Sequence, residues 1–451
     1  MNDFKLELPN NVEEAIGILY AGGFEAYAVG GCVRDLLMGL TPNDWDLAAS
    51  STPDETKACF KGYKTYDTGI DHGTVTVMCG SPLEITTFRV ERGYADHRRP
   101  DSVCFSRRVE DDLSRRDFTV NSMAYNHMRG LIDPFSGRKD LETRLIKAVG
   151  EAEQRFSEDA LRILRGLRFA SCLGFSIEEQ TSAAILKKAG DLNFVSRERI
   201  GSEFKKLITG QDAHQILNDY KSVFFTLMPM LRVIENTEQN TPYHFMDVWN
   251  HTLAAVKNTP PRLALRLAAL FHDCGKGVTR STDKNGVDHF YGHAKESVGI
   301  AGEILQSLRF DKGTSAHVLW LIEHHDERLP LSQRRIKKLL NAVPEDWVTD
   351  LICLMKADNL SKNKSVAEER MPLFIDAMNM IKKINEEDQC FKLCDLAVKG
   401  NDLIAIGFKP GRELGAALEA LLDSVMGGTP NNRSALLDIA GKLLTMYQGR
   451  N

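Results

Sequence analysis

The spacing of hydrophobic residues changes near residue 150 of the chain. Before that point, a helical repeat over 11–22 is followed by short apolar runs bounded by Gly, Pro and Asp, which are typical of strands. The glycine pair Gly30-Gly31 opens a further predicted helix over 32–40. The predicted strands cover residues 25–29, 46–49, 74–79 and 83–90. This pattern indicates an α+β head with a mixed sheet.

From about residue 150 onward, apolar residues recur three and four positions apart, as at Leu263, Leu267 and Leu270. This period predicts an all-helical remainder. The polar segment 236–242 predicts a linker, and 399–415, with four glycines and a proline, predicts a turn into a last helical segment. We therefore divide the chain into a head (1–150), a helical neck (151–235), a helical body (242–395) and a tail (396–451).

Composition changes this outline little. The 451 residues predict two to four domains, and a charged fraction of 26% is typical of a soluble globular protein. We expect no membrane helix, because no apolar run approaches the roughly 20 residues that one requires, and no secretory signal. The nine cysteines form no C-x-x-C pair, which favours a reduced, cytoplasmic location.

Charge is informative only locally. The net charge of −5 gives no support for nucleic-acid binding by the chain as a whole. Arginines nevertheless crowd two stretches, 89–116 and 155–168, where acidic residues are interleaved with them. Charge alone leaves open a solvated, ion-paired surface and a nucleic-acid surface.

Two acidic residues, Asp44 and Asp46, flank Trp45 at the start of the predicted strand 46–49. Alternate residues of a strand share a face, so the two carboxylates are expected to converge. Hard oxygen ligands of this kind suit Mg²⁺. Most D-x-D pairs are surface acids, however, and Glu84, a third acid in an alternating strand, is by itself a solvated side chain.

Two further groups of residues suit a nucleotide. Backbone N–H groups at Gly30-Gly31 and the nearby guanidinium of Arg34 can meet a phosphate, although a tight turn without a ligand has the same pattern. On a helix, residues spaced by three form a stripe that either makes internal salt bridges or presents donors and acceptors to a base. The residues with this spacing are Asp159, Arg162, Arg165 and Arg168.

Four segments in order resemble the motifs of one superfamily. Residues 30–46 resemble motif A, 114–124 motif B, 158–169 motif D and 197–207 motif E of the class II CCA-adding tRNA nucleotidyltransferases and bacterial poly(A) polymerases. The resemblance implies a polymerase β-like nucleotidyltransferase head. It also implies template-independent addition of CCA to the 3′ end of tRNA from CTP and ATP.

The resemblance also assigns roles. Asp44 and Asp46 hold two Mg²⁺ ions, and Glu84 is the third active-site carboxylate. These ions activate the RNA 3′-hydroxyl and stabilise the leaving pyrophosphate. The triphosphate, the ribose and the base are contacted by further residues of the motifs. These are Gly31 and Arg34 for the triphosphate; Arg116, Asp117 and Asn121 for the ribose and phosphate; and Asp159 and Arg162 for the base, supported by Arg165 and Arg168.

Three activities, namely CCA addition, CC addition and poly(A) addition, share such a head, and three features favour CCA addition. Residues 91–105 resemble the flexible loop that full CCA-adding enzymes keep. Motif D reads Asp-Ala-Leu-Arg, without the proline found in related polymerases, and no long basic extension follows the tail. A poly(A) polymerase or an A-adding enzyme is the alternative. No protein partner is inferred.

The body carries a second candidate site. The order of His251, His272-Asp273 and Asp358 resembles HD-type phosphohydrolase domains, which implies a divalent metal. A buried histidine is otherwise more often a core residue. Three further histidines, His293, His324 and His325, are candidate ligands of a second metal. An HD phosphohydrolase with an RNA-binding head is therefore the alternative of a different class, and the tail is expected to contact tRNA.

Overall fold

The computed structural model describes residues 5–67, 69–70, 73–93, 102–243 and 245–448, which form two compact units. The first unit extends to Arg232 and includes Gln306–Arg309. The second comprises Val233–Leu305 and the chain from Phe310 onward. Most of the loop segment 91–105, namely 94–101, lies outside the described residues. The division lies just before the segment 236–242 that was predicted to be a linker.

Short apolar segments separated by turns form the strands of the first unit. They are β1 (Ala26–Val29), β2 (Asp46–Ala49), β3 (Thr65–Tyr66), β4 (Thr74–Cys79), β5 (Ser81–Thr87), β6 (Arg89–Arg92), β7 (Ser102–Phe105), β8 (Ala124–Asn126), β9 (Gly130–Ile132), β10 (Leu145–Ile146) and β11 (Ser176–Ile177). Among the described residues, seven of these form one sheet in the order β3-β4-β5-β2-β1-β8-β9. Strands β2 and β5 are parallel, and the other neighbours are antiparallel. The mixed-sheet head is confirmed.

The strand predicted over 83–90 is two strands. Phe88 separates β5 from β6: its N–H donates to Ala49 O and its carbonyl accepts from Ser106 N, both at 2.8 Å. Its ring is fully buried, and β6 then pairs with β7 instead of the large sheet. The alternation of side chains continues through the break, so the sequence pattern could not show the change of partner.

The helices of the first unit follow the expected period. They are α1 (Asn10–Ala21), α2 (Gly31–Leu37), α3 (Pro53–Cys59), α4 (Val109–Ser114), α5 (Gly137–Glu142), α6 (Ala152–Glu158), α7 (Leu161–Leu173), α8 (Glu179–Lys188), α9 (Arg197–Ile208), α10 (Ala213–Asp219) and α11 (Lys221–Leu227). Short 3₁₀ turns occur at Thr119–Asn121, Ala189–Phe194 and Pro229–Ile234. Helix α2 ends before the predicted residue 40, because Gly39 adopts a positive φ of 72°.

The second unit is mainly helical. Its helices are α12 (Val248–Asn258), α13 (Leu263–Phe271), α14 (Lys276–Thr279), α15 (His293–Ser307), α16 (Lys312–His324), α17 (Gln333–Ala342), α18 (Glu345–Leu360), α19 (Lys364–Glu386), α20 (Gly400–Ala405), α21 (Arg412–Met426) and α22 (Arg433–Gln448). A 3₁₀ turn, Leu393–Asp395, precedes α20. Helix α12 packs on α18, and α13 packs on α16 and α18. None of the helices in the described part of the chain is long and apolar enough to cross a membrane.

Two details of this unit differ from the sequence prediction. A small hairpin, β12 (Ser281–Thr282) and β13 (Asp288–His289), interrupts the expected all-helical body. The turn predicted over 399–415 is shorter, because helix α20 occupies the first part of that segment. The chain turns between α20 and α21, where Gly407 and Gly411 have φ values of 114° and 131°.

Candidate active site and metal centre

Three acidic residues lie at one end of strands β2 and β5. Asp46 begins β2 and is in register with Glu84 of the parallel strand β5, so their side chains point to the same face. Asp44 lies two residues earlier in the extended segment before β2. Desolvation raises the pKa of Asp46, Arg116 opposes this shift, and the charge of Asp44 raises the pKa further. The net rise therefore comes mainly from desolvation, with a smaller part from the neighbouring charge of Asp44.

This acidic cluster is open. Asp44, Asp46 and Glu84 are all exposed. Within the described ranges, their carboxylates do not form a group whose oxygen atoms all lie within 4.8 Å of one another, as the groups in the second unit do. The donor set of three carboxylates fits a hard divalent cation, and its exposure leaves room for ligands from a substrate.

A glycine turn lies beside these acids. Gly30 has a φ of 77°, and a Cβ atom there would lie 2.8 Å from Nη1 of Arg116. Arg34, in helix α2, donates from Nη1 to Asn121 Oδ1 at 2.7 Å and also pairs with Asp35. The structure therefore joins the predicted triphosphate contact Arg34 to the predicted ribose contact Asn121.

Buried carboxylates hold the arginines that follow helix α4. Asp112 is fully buried and pairs with Arg115 at 2.7 Å and Arg116 at 3.1 Å. Burial raises the pKa of Asp112, but Arg116 and Arg115 outweigh burial, and the pKa is lower than usual. Asp117 accepts from Arg165 Nε at 2.7 Å. Burial raises the pKa of Asp117 as well, and Arg165 brings it below its usual value.

The predicted base-reading pair is arranged differently from the expectation. Asp159 is not part of a helix: it lies between α6 and α7 with extended φ and ψ angles of −140° and 103°. Its carboxylate pairs with Arg199 of α9 at 2.8 Å. Arg162 pairs instead with Glu158 at 2.7 Å and donates to the carbonyl oxygen of Arg115 at 2.9 Å. Asp159 therefore lies outside the helix on which the four-residue stripe was expected, and Asp159 and Arg162 each have another ion-pair partner. That these two residues read the base stays a prediction.

The remaining arginines of α7 surround an aromatic ring. Arg168 lies 4.0 Å from the centre of the Phe169 ring, and Arg165 and Arg34 lie 5.5 and 5.4 Å from it. Glu203 of α9 forms an ion pair with Arg168, with Oε2 2.8 Å from Nε. Phe169 and Glu203 were not predicted as site residues, although both lie within the motif segments.

One cavity of about 480 Å³ is lined by most of the residues predicted for the site in the head. Asp44 and Glu84 do not line it. The lining residues are Gly30, Gly31, Arg34, Asp46, Arg115, Arg116, Asp117, Asn121, Asp159, Arg162, Arg165, Arg168 and Phe169. The cavity thus combines a glycine turn, an acid of the exposed cluster and many guanidinium groups. That chemistry suits an anionic nucleotide.

The second unit brings the four predicted HD residues together. The ligand atoms of His251, His272, Asp273 and Asp358 all lie within 4.8 Å of one another. His251 Nε2 is 2.9 Å from Asp358 Oδ1, and His272 Nε2 is 3.2 Å from Asp273 Oδ2. His251 Nδ1 faces the backbone carbonyl of Ser361, and His272 Nδ1 faces that of Ala269. The Nε2 atoms of both histidines therefore point towards the two aspartates.

A second group shares Asp273. It contains His293 and His325, whose Nε2 atoms are 3.2 Å apart and lie 3.5 and 3.8 Å from Asp273 Oδ1. Backbone carbonyls again accept from their Nδ1 atoms. His324 belongs to neither group: its Nδ1 faces the carbonyl of Trp320, and its ring stacks on the Trp320 indole. Of the three additional histidines, the structure gathers two.

A lysine side chain pairs with each of the two aspartates and balances its negative charge. Lys276 Nζ is 2.7 Å from Asp273 Oδ2, and Lys362 Nζ is 2.7 Å from Asp358 Oδ2. Burial raises the pKa of each carboxyl group, but His272 and Lys276 beside Asp273, and Lys362 and His251 beside Asp358, bring both well below the usual range. Ionised carboxylates are the form that binds a metal.

One buried atom tests the fit of a metal directly. Within the part of the chain that the structure describes, His272 Nε2 is buried and makes no hydrogen bond. Its polar neighbours are the carboxylates of Asp273 at 3.2 Å and Asp358 at 3.8 Å, so a cation bound by these oxygens can also take this nitrogen as a ligand. Together with the carboxylates, it suits a divalent transition metal.

Three family models match separate segments of the chain. The model of the poly A polymerase head domain matches residues 26–147, that of a probable RNA and SrmB-binding site of polymerase A matches 174–221, and that of the HD domain matches 243–363. A CCA-adding enzyme of Latilactobacillus sakei is 37% identical over 95% of this chain and 97% of its own length. This chain belongs to the CCA-adding enzyme family.

Two other matches agree with the family. A CCA-adding enzyme of Lactobacillus delbrueckii is 53% identical over 203 residues, which cover 45% of this chain and 51% of that protein. The matched segment thus spans about half the length of that relative. The crystal structure of the Bacillus stearothermophilus CCA-adding enzyme in complex with CTP matches 98% of this chain and 99% of its own, with 26% identity and a TM-score of 0.67.

Membership of the CCA-adding family confirms three expectations. The chain belongs to the superfamily that its motifs resemble, its head matches the poly A polymerase head domain, and its body matches the HD domain. The family implies dependence on a divalent metal. The roles of individual residues stay predictions.

Proposed function

We propose that this chain adds CCA to the 3′ end of tRNA, taking CTP and ATP in turn. The observation that supports the proposal most is the shared cavity of the first unit. Arg34, Asp46 and Arg162 all open into it, from the glycine turn, the acidic cluster and helix α7. An enzyme that selects a nucleotide without a template strand needs a phosphate contact, a catalytic acid and a base contact in one place. The tRNA substrate and the free cysteines favour a cytoplasmic location.

Asp44, Asp46 and Glu84 are the residues that would hold two Mg²⁺ ions. Carboxylate oxygens on adjacent strands are hard ligands, and the register of Asp46 with Glu84 places two of these carboxylates on one face. When bound, the ions lower the pKa of the RNA 3′-hydroxyl and neutralise the pyrophosphate that leaves. Arg34 and Gly31, which line the same cavity as Asp46, contact the triphosphate.

The base is read by groups that the protein holds in place. Glu158 and the Arg115 carbonyl fix Arg162, while Arg199 fixes Asp159. Held in this way, the guanidinium offers donors and the carboxylate offers acceptors to the Watson–Crick edge of cytosine or adenine. Arg165 and Arg168 support this wall. Arg116, Asp117 and Asn121 hold the ribose and phosphate.

Three tRNA acceptors test the order of addition. One ends before the CCA triplet, one after the first C and one after the second C, and each is incubated with CTP alone or ATP alone in the presence of Mg²⁺. We expect CTP to extend the first two and ATP to extend only the third. Extension of all three acceptors by ATP would identify a poly(A) polymerase or an A-adding enzyme instead.

A second function, divalent-metal-dependent hydrolysis of phosphate esters, is supported by the HD residues of the body. The specific observation is Asp273, whose two oxygens serve two groups of potential ligands. The test measures phosphate release from p-nitrophenyl phosphate with Mn²⁺, Co²⁺ or Ni²⁺. A His251→Ala variant is expected to lose the activity and to retain nucleotide addition. Equal phosphate release by this variant would exclude the HD site as its source.

A further inference from the structure

Two cavities of the second unit meet at the HD residues. The smaller, of about 310 Å³, is lined by Asp273, His293 and Lys276. The larger, of about 570 Å³, contains Arg328, Arg370, the acids Glu327 and Glu369, and the apolar side chains of Leu373 and Phe374. Both cavities share one wall, so they are two compartments of one site. The shared residues are His325, Asp326, Asp358 and Lys362.

The two lysines of this site are held differently. Lys276 donates to Gln239 Oε1 at 2.8 Å in addition to its pair with Asp273, and its side chain is 8% exposed. Lys362 follows the end of α18, and its side chain is 18% exposed. In the described part of the chain, Asp358 is the one hydrogen-bond acceptor of its ammonium group. Lys276 is therefore fixed, whereas Lys362 can exchange its partner.

Asp358 has two competing uses. Its Oδ1 belongs to the ligand group around His251, and its Oδ2 accepts from Lys362. A metal ion that binds Asp358 withdraws negative charge from Lys362 and leaves this ammonium group facing both cavities. A buried or half-buried ammonium group without a counter-ion is costly, so a new anion is favoured there.

We propose that Lys362 balances Asp358 in the metal-free site and binds a phosphoryl oxygen of the substrate in the metal-loaded site. The ligand class is an anionic phosphate ester. Its remaining part fills the larger cavity, where Arg328 and Arg370 meet its charge and Phe374 its apolar portion. This inference rests on the phosphohydrolase role proposed above.

Calorimetry on the full-length protein separates the two uses of Lys362. Mn²⁺ is titrated first, and inorganic phosphate is then titrated into the Mn²⁺-loaded protein. In Lys362→Met, Mn²⁺ is expected to bind about tenfold more tightly, because a charged hydrogen bond to its ligand is gone. Phosphate is expected to bind about tenfold more weakly, because the variant lacks one charge-assisted donor.

Two further variants complete the test. Lys364→Met is the matched control, since this side chain is 90% exposed and pairs only loosely with Glu368, and both affinities should be unchanged. Lys362→Arg keeps the charge and should retain phosphate binding. Unchanged Mn²⁺ and phosphate affinities in Lys362→Met would overturn the role of Lys362 alone. Equal Mn²⁺ binding by the wild type and His251→Ala would overturn the metal site, and this inference with it.

Discussion

The two sites of this protein have opposite arrangements of charge. In the head, guanidinium groups face the cavity and buried acids such as Asp112 and Glu158 hold them from behind. In the HD body, carboxylates and imidazoles face one another, Lys276 and Lys362 pair with the carboxylates, and backbone carbonyls face the Nδ1 atoms of the imidazoles. The group that faces inward indicates the ligand: the head suits an anionic nucleotide, and the body suits a cation.

The two sites also differ in exposure. The head acids Asp44, Asp46 and Glu84 are exposed at the end of two strands. The body residues His251 and His272 are fully buried. An exposed cluster can accept ligands from a macromolecular end, whereas a buried cluster must supply most of its ligands itself. The predictions below test this contrast.

Removal of a head carboxylate should have the largest effect. In Asp46→Asn, we expect kcat/KM for CTP addition to fall roughly 10³-fold, because a charged metal ligand at the reacting phosphate is lost. Steady-state kinetics with a tRNA lacking its CCA end measure this change. Asp54→Asn, an exposed acid in helix α3, is the control. A fall of less than about tenfold would contradict the assignment of Asp46.

Removal of a supporting acid should destabilise the head. Asp112→Asn leaves Arg115 and Arg116 without their buried partner, and we expect a loss of about 3 kcal/mol in unfolding free energy. The pKa of Asp112 is lowered on folding, so its contribution is present above the unfolded pKa of about 3.9 and disappears as the pH falls through the folded value.

Hydrogen exchange of the buried amides of β1 reports this free energy for the first unit. The difference between the wild type and Asp112→Asn should be full at neutral pH and should narrow below about pH 4. A difference that grows as the pH falls would show that Asp112 is not the ionised partner of these arginines.

Glu158→Gln tests the support of the base contact. The variant weakens the pair that holds Arg162, and we expect kcat/KM to fall about tenfold for both CTP and ATP, with more UTP accepted. Glu153→Gln in the same helix is the matched control, since Glu153 pairs with Lys187 at the surface. If the two variants behave alike, Glu158 does not position Arg162 for base selection.

The smallest expected effect on nucleotide addition comes from the body. His293→Ala should reduce bound Mn²⁺ by one ion per chain, because the second group of the body then lacks a ligand. CCA addition should stay within about twofold of the wild type, because sites that share no residues act independently. Metal analysis and addition kinetics on the same sample check both outcomes. If His293→Ala greatly reduced CCA addition and kept all of its Mn²⁺, the head site and the body site would depend on each other.

The sequence predicted those features that depend on local pattern. The glycine turn at Gly30, the strand that begins at Asp46 and the helical period of the neck follow from short-range spacing. The structure adds the register between Asp46 and Glu84, which depends on pairing of distant strands. Spacing alone could not establish that register.

The predictions for Asp159 and His324 differ from the structure for a common reason. Each side chain contacts a partner that the sequence pattern did not indicate. Asp159 lies outside the helix that its spacing predicted, and it pairs with Arg199, a residue 40 positions away. The i,i+4 spacing of Glu158 and Arg162 was the available signal for the true partner. Likewise, His324 and His325 are neighbours in sequence, and only the fold shows that His325, unlike His324, faces Asp273.

Sequencing of tRNA 3′ ends tests the central claim most directly. A tRNA lacking its CCA end is incubated with CTP, ATP and Mg²⁺, once with the wild type and once with Asp46→Asn. The head described here predicts a homogeneous CCA end from the wild type and an unextended tRNA from the variant. A long A tail, or equal extension by Asp46→Asn, would contradict it.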